Sequence, residues 1–115
     1  MNWLCGVADA IIRPMLTIEI VSDVVCPWCF IGTRRLETAV AMVRSQVPDF
    51  SYQKRWLPFF LNPDTPPEGE PYLPFLEHKF GSRAAVDALF GRIREAGRAY
   101  GIDYAFEKIE LRANT

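Results

Sequence analysis

The chain has 115 residues, a formal net charge of −1 and a residue content that is 50% hydrophobic. This length and composition favour one domain with a modest core. No basic stripe indicates a nucleic-acid partner, and no apolar run reaches the eighteen or so residues that span a membrane.

The first fourteen residues read poorly as a secretion signal. No Lys or Arg precedes their apolar stretch, which is short and is broken by Gly6 and Asp9. We therefore treat 1–14 as an N-terminal extension, take Met15 as the native start and expect a cytoplasmic protein. Cys5 is then incidental.

A strand followed at once by a helix is predicted next. Between Leu16 and Val21 an apolar residue recurs at every second position, at Leu16, Ile18 and Ile20, which is typical of a strand. Apolar residues then recur at helical spacing from Pro27 onward, at Ile31, Leu36, Val40, Val43 and Val47. The motif Cys26-Pro27-Trp28-Cys29 therefore lies at a helix N-terminus.

That position favours redox chemistry. Unpaired N–H groups and the helix dipole stabilise a thiolate, so we expect Cys26 to be unusually acidic and nucleophilic. Cys29, one turn further on, can attack a mixed disulfide formed at Cys26 and release the substrate. Pro27 suits the first helical position. Trp28 either contacts substrate or covers Cys29.

Three other interpretations of the cysteine pair compete with this one. A zinc site needs two further ligands. The sequence contains only Cys5 and His78 as candidates, and His78 is distant and has no partner at metal-ligand spacing. A structural disulfide across two residues closes too small a loop to constrain the unfolded chain much. Two inert core thiols are the third interpretation. Nearby, Asp23 either tunes the thiols or serves as a turn or cap residue.

A second strand and a long loop follow. Phe50 to Leu57 has aromatic residues on even positions, and the long connection from the first strand predicts parallel, right-handed pairing. The proline-rich segment from Pro58 to Pro74 predicts a stiff, ordered loop. We expect four apolar side chains to be buried where they order this loop: Trp56, Phe59, Phe60 and Leu61.

Two helices and a short extended segment are predicted beyond the loop. The first helix begins at Pro71 or Tyr72 and ends at Gly81, and Ser82 caps the second, which Gly101 stops. Alternation at Ile102, Tyr104 and Phe106 predicts extended backbone.

Several runs of residues resemble one known family. The opening of DsbA-like thioredoxin-fold proteins, most of all of their FrnE-like branch, is similar to two segments of this chain. They are Ile18 to Gly32, which contains the cysteine motif, and Arg34-Arg35-Leu36. Two further runs are also similar to that branch: Trp56-Leu57-Pro58-Phe59-Phe60-Leu61-Asn62-Pro63 and Lys79-Phe80-Gly81. The resemblance spans Met15 to Thr115.

The resemblance implies an α/β fold: a thioredoxin-like β-α-β half at 15–58, then a proline-rich loop and part of a helical insertion at 59–115. It implies a thiol-disulfide oxidoreductase with Cys26 as exposed nucleophile and Cys29 as buried resolver. The redox-active disulfide would be the only cofactor, with no metal. Substrates would be protein or small-molecule thiols and disulfides, glutathione included.

The chain departs from that family in length. Members of this branch run to roughly twice this size, as a thioredoxin core with an inserted domain requires. Two further strands, a last helix and the cis-proline loop would lie beyond Thr115, and all nine prolines precede residue 75. We expect an incomplete sheet whose unpaired first strand recruits another strand, for example in a homo-oligomer.

Two other functions stay open. Relatives of this fold include glutathione-dependent transferases and isomerases, but the related isomerases carry serine where Cys26 stands and have no use for a second cysteine. The chain could also be a non-catalytic fragment that binds a partner through its sheet edge and aromatic residues.

Overall fold

The computed structural model describes residues 15–115. In chain order, the elements are β1 (Leu16–Ser22), α1 (Pro27–Gln46), β2 (Tyr52–Pro58), β3 (Glu70–Pro71), α2 (Tyr72–Phe80), α3 (Arg83–Arg98) and β4 (Leu111–Arg112). A 3-10 turn at Phe106–Lys108 precedes β4. None of the helices in this part of the chain combines the length and apolarity needed to cross a bilayer.

Strands β1 and β2 form a parallel pair, as the sequence predicted. Leu16 lies opposite Tyr52, and the register continues to Ser22 opposite Pro58. Within residues 15–115, β2 is the sole neighbour of β1, so one edge of β1 has no partner strand. The fold is therefore a mixed α/β arrangement with an incomplete sheet, in agreement with the predicted fold class.

The core lies between the helices, and no residue of β1 or β2 belongs to it. Ile31 of α1 is fully buried, and it packs with buried side chains of α2, α3 and the segment after α3: Leu76, Val86, Phe90, Ile93, Ile102 and Phe106. The cysteine motif at the start of α1 is thereby held against the helical part of the chain.

Two helix ends follow the sequence signals, whereas α3 ends at Arg98, before the predicted stop at Gly101. The hydroxyl of Ser82 accepts a hydrogen bond from the backbone N–H of Ala85 at 3.1 Å, which caps α3. Gly81 ends α2 with φ of +95°, a left-handed conformation that glycine adopts without strain.

The prediction of an extended segment at 102–106 is wrong. No strand forms there, and the backbone leads into the 3-10 turn. The side chains of Ile102 and Phe106 are buried in the helical core. Their alternation therefore reflects packing against the helices instead of pairing with a strand.

The expected burial of aromatic residues around the proline-rich loop is also wrong. Trp56, Phe59, Phe60 and Leu61 are all about half exposed, at 51%, 52%, 61% and 45%. The loop is instead held by polar contacts with the C-terminal segment. The guanidinium of Arg112 donates to Glu70, to Thr65 Oγ1 at 2.6 Å and to Asn62 Oδ1 at 2.9 Å.

Gly97 of α3 provides a test of the contact that links this helix to the following segment. A Cβ at this position would lie 2.8 Å from Cε2 of Tyr104 and 3.3 Å from Cβ of Ile102. We expect Gly97→Ala to lower the free energy of unfolding by about 1–3 kcal/mol, because the core there has no room for a methyl group.

Gly91→Ala is the matched control in the same helix, since a Cβ there meets nothing within 4 Å. It should raise the free energy of unfolding by up to about 1 kcal/mol through helix propensity. Urea unfolding followed by circular dichroism measures both variants. Equal stabilisation by the two alanines would contradict the described packing.

Candidate active site

Cys26 is the N-cap residue of α1. Its Sγ accepts a hydrogen bond from the backbone N–H of Cys29 at 3.2 Å, and its own N–H donates to the carbonyl of Asp23 at 3.2 Å. Pro27 occupies the start of the helix, where its missing N–H costs nothing. The structure therefore places the motif at the helix N-terminus, as predicted.

The two thiols lie close together but in different surroundings. Both are free and partly buried. Cys26 lines a groove of about 560 Å³ between the motif and α2, together with Pro27 and Trp28, whereas Cys29 does not line it. The sulfur of Cys29 is instead contacted by the side chain of Ser22 and the backbone of Asp23. Cys26 is therefore the sulfur that a molecule in the groove would meet.

The prediction that Cys26 is unusually acidic is wrong for this dithiol arrangement. Burial raises the pKa of the Cys26 thiol, and the contact with the Cys29 sulfur raises it further, against the backbone amides of Cys29 and Trp28. Burial alone would also raise the pKa of Cys29, but this pKa is lowered because the Cys26 thiol, Ser22 and the Asp23 backbone donate to its sulfur. Two thiols in contact share their protons, so the first ionisation belongs to the pair.

Asp23 joins the motif to the loop after β2. It is 6% exposed. Its carboxylate accepts hydrogen bonds from the backbone N–H of Leu61 at 2.7 Å and of Val25 at 3.4 Å. Burial alone would raise the pKa of Asp23, but these amides and the hydroxyl of Thr115 lower it. The turn role weighed from the sequence is thus present, and the Asp23 charge also raises the pKa of nearby Cys29.

Tyr104 is a site residue that sequence reasoning missed. Its hydroxyl donates a hydrogen bond to the carbonyl of Pro27, inside the motif. Burial raises the pKa of Tyr104, and the nearby Cys26 charge raises it further. No sequence pattern pairs positions 77 residues apart, so the fold was needed to find this contact.

Trp28 lies within the motif, whereas the other candidates, His78 and Cys5, lie elsewhere in the sequence. Trp28 is 45% exposed at the groove, which fits the predicted substrate contact better than a cover over Cys29. His78 is exposed on α2. Within 15–115, no cluster of three or more His, Cys, Asp or Glu side chains is placed to hold a metal ion. Cys5 lies outside the described residues.

Removing one thiol should shift the other in a defined direction. In Cys29→Ala we expect the pKa of Cys26 to fall, because the raising effects of the Cys29 sulfur disappear while its backbone N–H still donates. In Cys26→Ala we expect the pKa of Cys29 to rise, because it loses a hydrogen bond. Alkylation rates against pH, in a Cys5→Ser background, measure both. A Cys26 pKa that does not fall would contradict the described contact.

Asp23 should make stability depend on pH at the acid end. Its folded pKa is lowered from an ordinary value of 3.8, so the carboxylate stabilises the fold above that pH and this stabilisation is lost as pH falls through the folded value. Between pH of about 6 and about 3, Asp23→Asn should therefore lose less unfolding free energy than the unmodified chain. Urea titrations at both pH values measure this. Asp64→Asn, which alters an exposed carboxyl, should behave like the unmodified chain.

Comparison with known proteins agrees with this arrangement. A family model described as the DSBA-like thioredoxin domain matches residues 17–115, which include the cysteine motif, all three helices and every strand residue except Leu16. A comparison with curated proteins gave no match. Because the family model covers most of the sequence, the chain belongs to the DSBA-like thioredoxin domain family.

Proposed function

We propose that this chain is a thiol-disulfide oxidoreductase with Cys26 as the attacking thiol and Cys29 as the resolving thiol. The observation that carries the proposal is the placement of the Cys26 sulfur, which faces the groove at the start of α1 and receives the Cys29 N–H at 3.2 Å. Membership of the DSBA-like family supports the reaction class.

The first step is attack by the Cys26 thiolate on one sulfur of a substrate disulfide. A bond forms between Cys26 and that sulfur, the substrate S–S bond breaks, and the departing thiolate takes up a proton. The backbone N–H of Cys29 stabilises negative charge on the Cys26 sulfur before the attack.

In the second step the Cys29 thiolate attacks the Cys26 sulfur of the mixed disulfide. The Cys26–Cys29 disulfide forms, the second substrate thiolate leaves, and two electrons have passed from the cysteine pair to the substrate. The same steps in reverse oxidise a substrate dithiol. The contacts from Ser22 and the Asp23 backbone favour the thiolate form of Cys29 that this step requires.

The acidity of the pair is compatible with attack by Cys26. The lowered pKa of Cys29 supplies a thiolate, and the two sulfurs are in hydrogen-bond contact. Movement of the shared proton from Cys26 to Cys29 transfers the charge to the sulfur that faces the groove. Access to the groove then decides which sulfur reacts first.

The second cysteine argues for exchange over glutathione transfer. A transferase needs a single group to hold or activate the glutathione thiol, whereas here the Cys29 amide and sulfur both contact Cys26. Within the same proposal we assign the chain to the FrnE-like branch and to the cytoplasm, with protein or small-molecule thiols and disulfides as substrates.

Single cysteine variants of the full chain test the proposal. Cys26→Ser should lower the rate of reduction of hydroxyethyl disulfide by about 10³-fold or more, as the loss of a catalytic nucleophile does. Cys29→Ser should accumulate a mixed disulfide at Cys26, detectable by mass spectrometry. Cys5→Ser is the matched control and should keep the original rate. Undiminished activity of Cys26→Ser would reject the assignment, and a chain that binds a partner without any exchange would support the non-catalytic alternative.

A further inference from the structure

The groove beside Cys26 has mainly apolar walls. One side is formed by the motif, with Val25 and Trp28, and the other by α2 and the C-terminal segment, with Phe75, Phe80 and Ile109. Its volume of about 560 Å³ is in the range of sites that enclose a short peptide or a drug-sized molecule. The reactive sulfur therefore opens onto a surface suited to apolar side chains.

The charged residues that line the groove are both cations. They are Lys79 and Arg112, and no Asp or Glu lines it. The Arg112 side chain is 17% exposed and its guanidinium is paired with Glu70, so its charge is already compensated.

Lys79 differs, because it is exposed and forms no ion pair with any residue in 15–115. Its ammonium lies 5.5 Å from the ring centroid of Phe80 and 6.0 Å from that of Phe75. Cation–π contacts of this kind hold the charge at the groove wall. The groove thus presents one available positive charge beside apolar walls.

We infer that Lys79 selects the substrate: the groove takes a polypeptide segment whose disulfide-bonded cysteine has apolar neighbours and an acidic residue. This inference rests on the proposed function, since it assigns the substrate of the same site. Apolar neighbours fill the space between Trp28 and Phe80, and the carboxylate faces Lys79. The apolar area favours a peptide over a small polar anion, which would leave those walls in water.

Matched peptides test the charge preference. Each carries one cysteine between apolar residues, joined to thionitrobenzoate in a mixed disulfide, and one nearby position is Glu, Gln or Lys. Reaction with the reduced protein forms the Cys26–Cys29 disulfide and releases the peptide thiol and the coloured thionitrobenzoate. An exposed ion pair is worth up to about 1 kcal/mol, so we expect the Glu peptide to react about two- to fivefold faster than the Gln peptide, and the Lys peptide to be slowest.

Two variants and a control assign the preference to Lys79. Lys79→Gln should remove the difference between the Glu and Gln peptides, and Lys79→Glu should reverse it. Lys54→Gln, which removes an exposed lysine of β2 that does not line the groove, should keep the original preference. Added salt should weaken the preference in the unmodified chain, because it screens exposed charges.

Neutral hydroxyethyl disulfide separates failure of this inference from failure of the proposed function. If the Lys79 variants reduce it normally but retain the Glu preference, the inference is overturned and the function stands. If the unmodified chain reduces neither this reagent nor any peptide, the proposed function itself fails. Glutathione disulfide reacting as fast as the Glu peptide, with the same dependence on Lys79, would overturn the polypeptide substrate.

Discussion

The hydrogen bond from the Cys29 amide to the Cys26 sulfur is the interaction on which the site depends. A helix leaves its first N–H groups without internal partners, and a side chain just before the helix can accept a hydrogen bond from one of them. In this chain that acceptor is a thiol. Helix capping and stabilisation of a thiolate are therefore the same contact, so formation of α1 also places the two sulfurs within reach of each other.

Two further contacts fix the capped turn from outside the helix. The Asp23 carboxylate accepts a hydrogen bond from the backbone N–H of Leu61 at 2.7 Å, and the Tyr104 hydroxyl donates one to the carbonyl of Pro27. Asp23 comes from the end of β1 and Tyr104 from the segment after α3, so the sheet and the helical core both position the motif. The two sulfurs therefore have different surroundings. Ser22 and the Asp23 backbone, at the end of β1, contact the Cys29 sulfur, and Cys26 faces the groove.

Local signals predicted the elements well, and failed where burial and side-chain contacts in the folded chain decide the outcome. Strand alternation, the cap at Ser82 and the stop at Gly81 depend on neighbouring residues, and they were confirmed. The alternation at Ile102 and Phe106 comes from burial against the helices, which produces the same pattern as a strand. The helix dipole alone predicts a low pKa for Cys26, but burial and the contact with the Cys29 sulfur raise this pKa.

The incomplete sheet is connected to the cysteine pair through the end of β1. Several apolar side chains of the sheet lie at the surface, since Leu16, Val21 and Trp56 are each at least half exposed. The open strand β1 ends at Ser22, whose side chain contacts the Cys29 sulfur. Because of this contact, the order at the end of the open strand and the ionisation of the Cys29 thiol depend on each other.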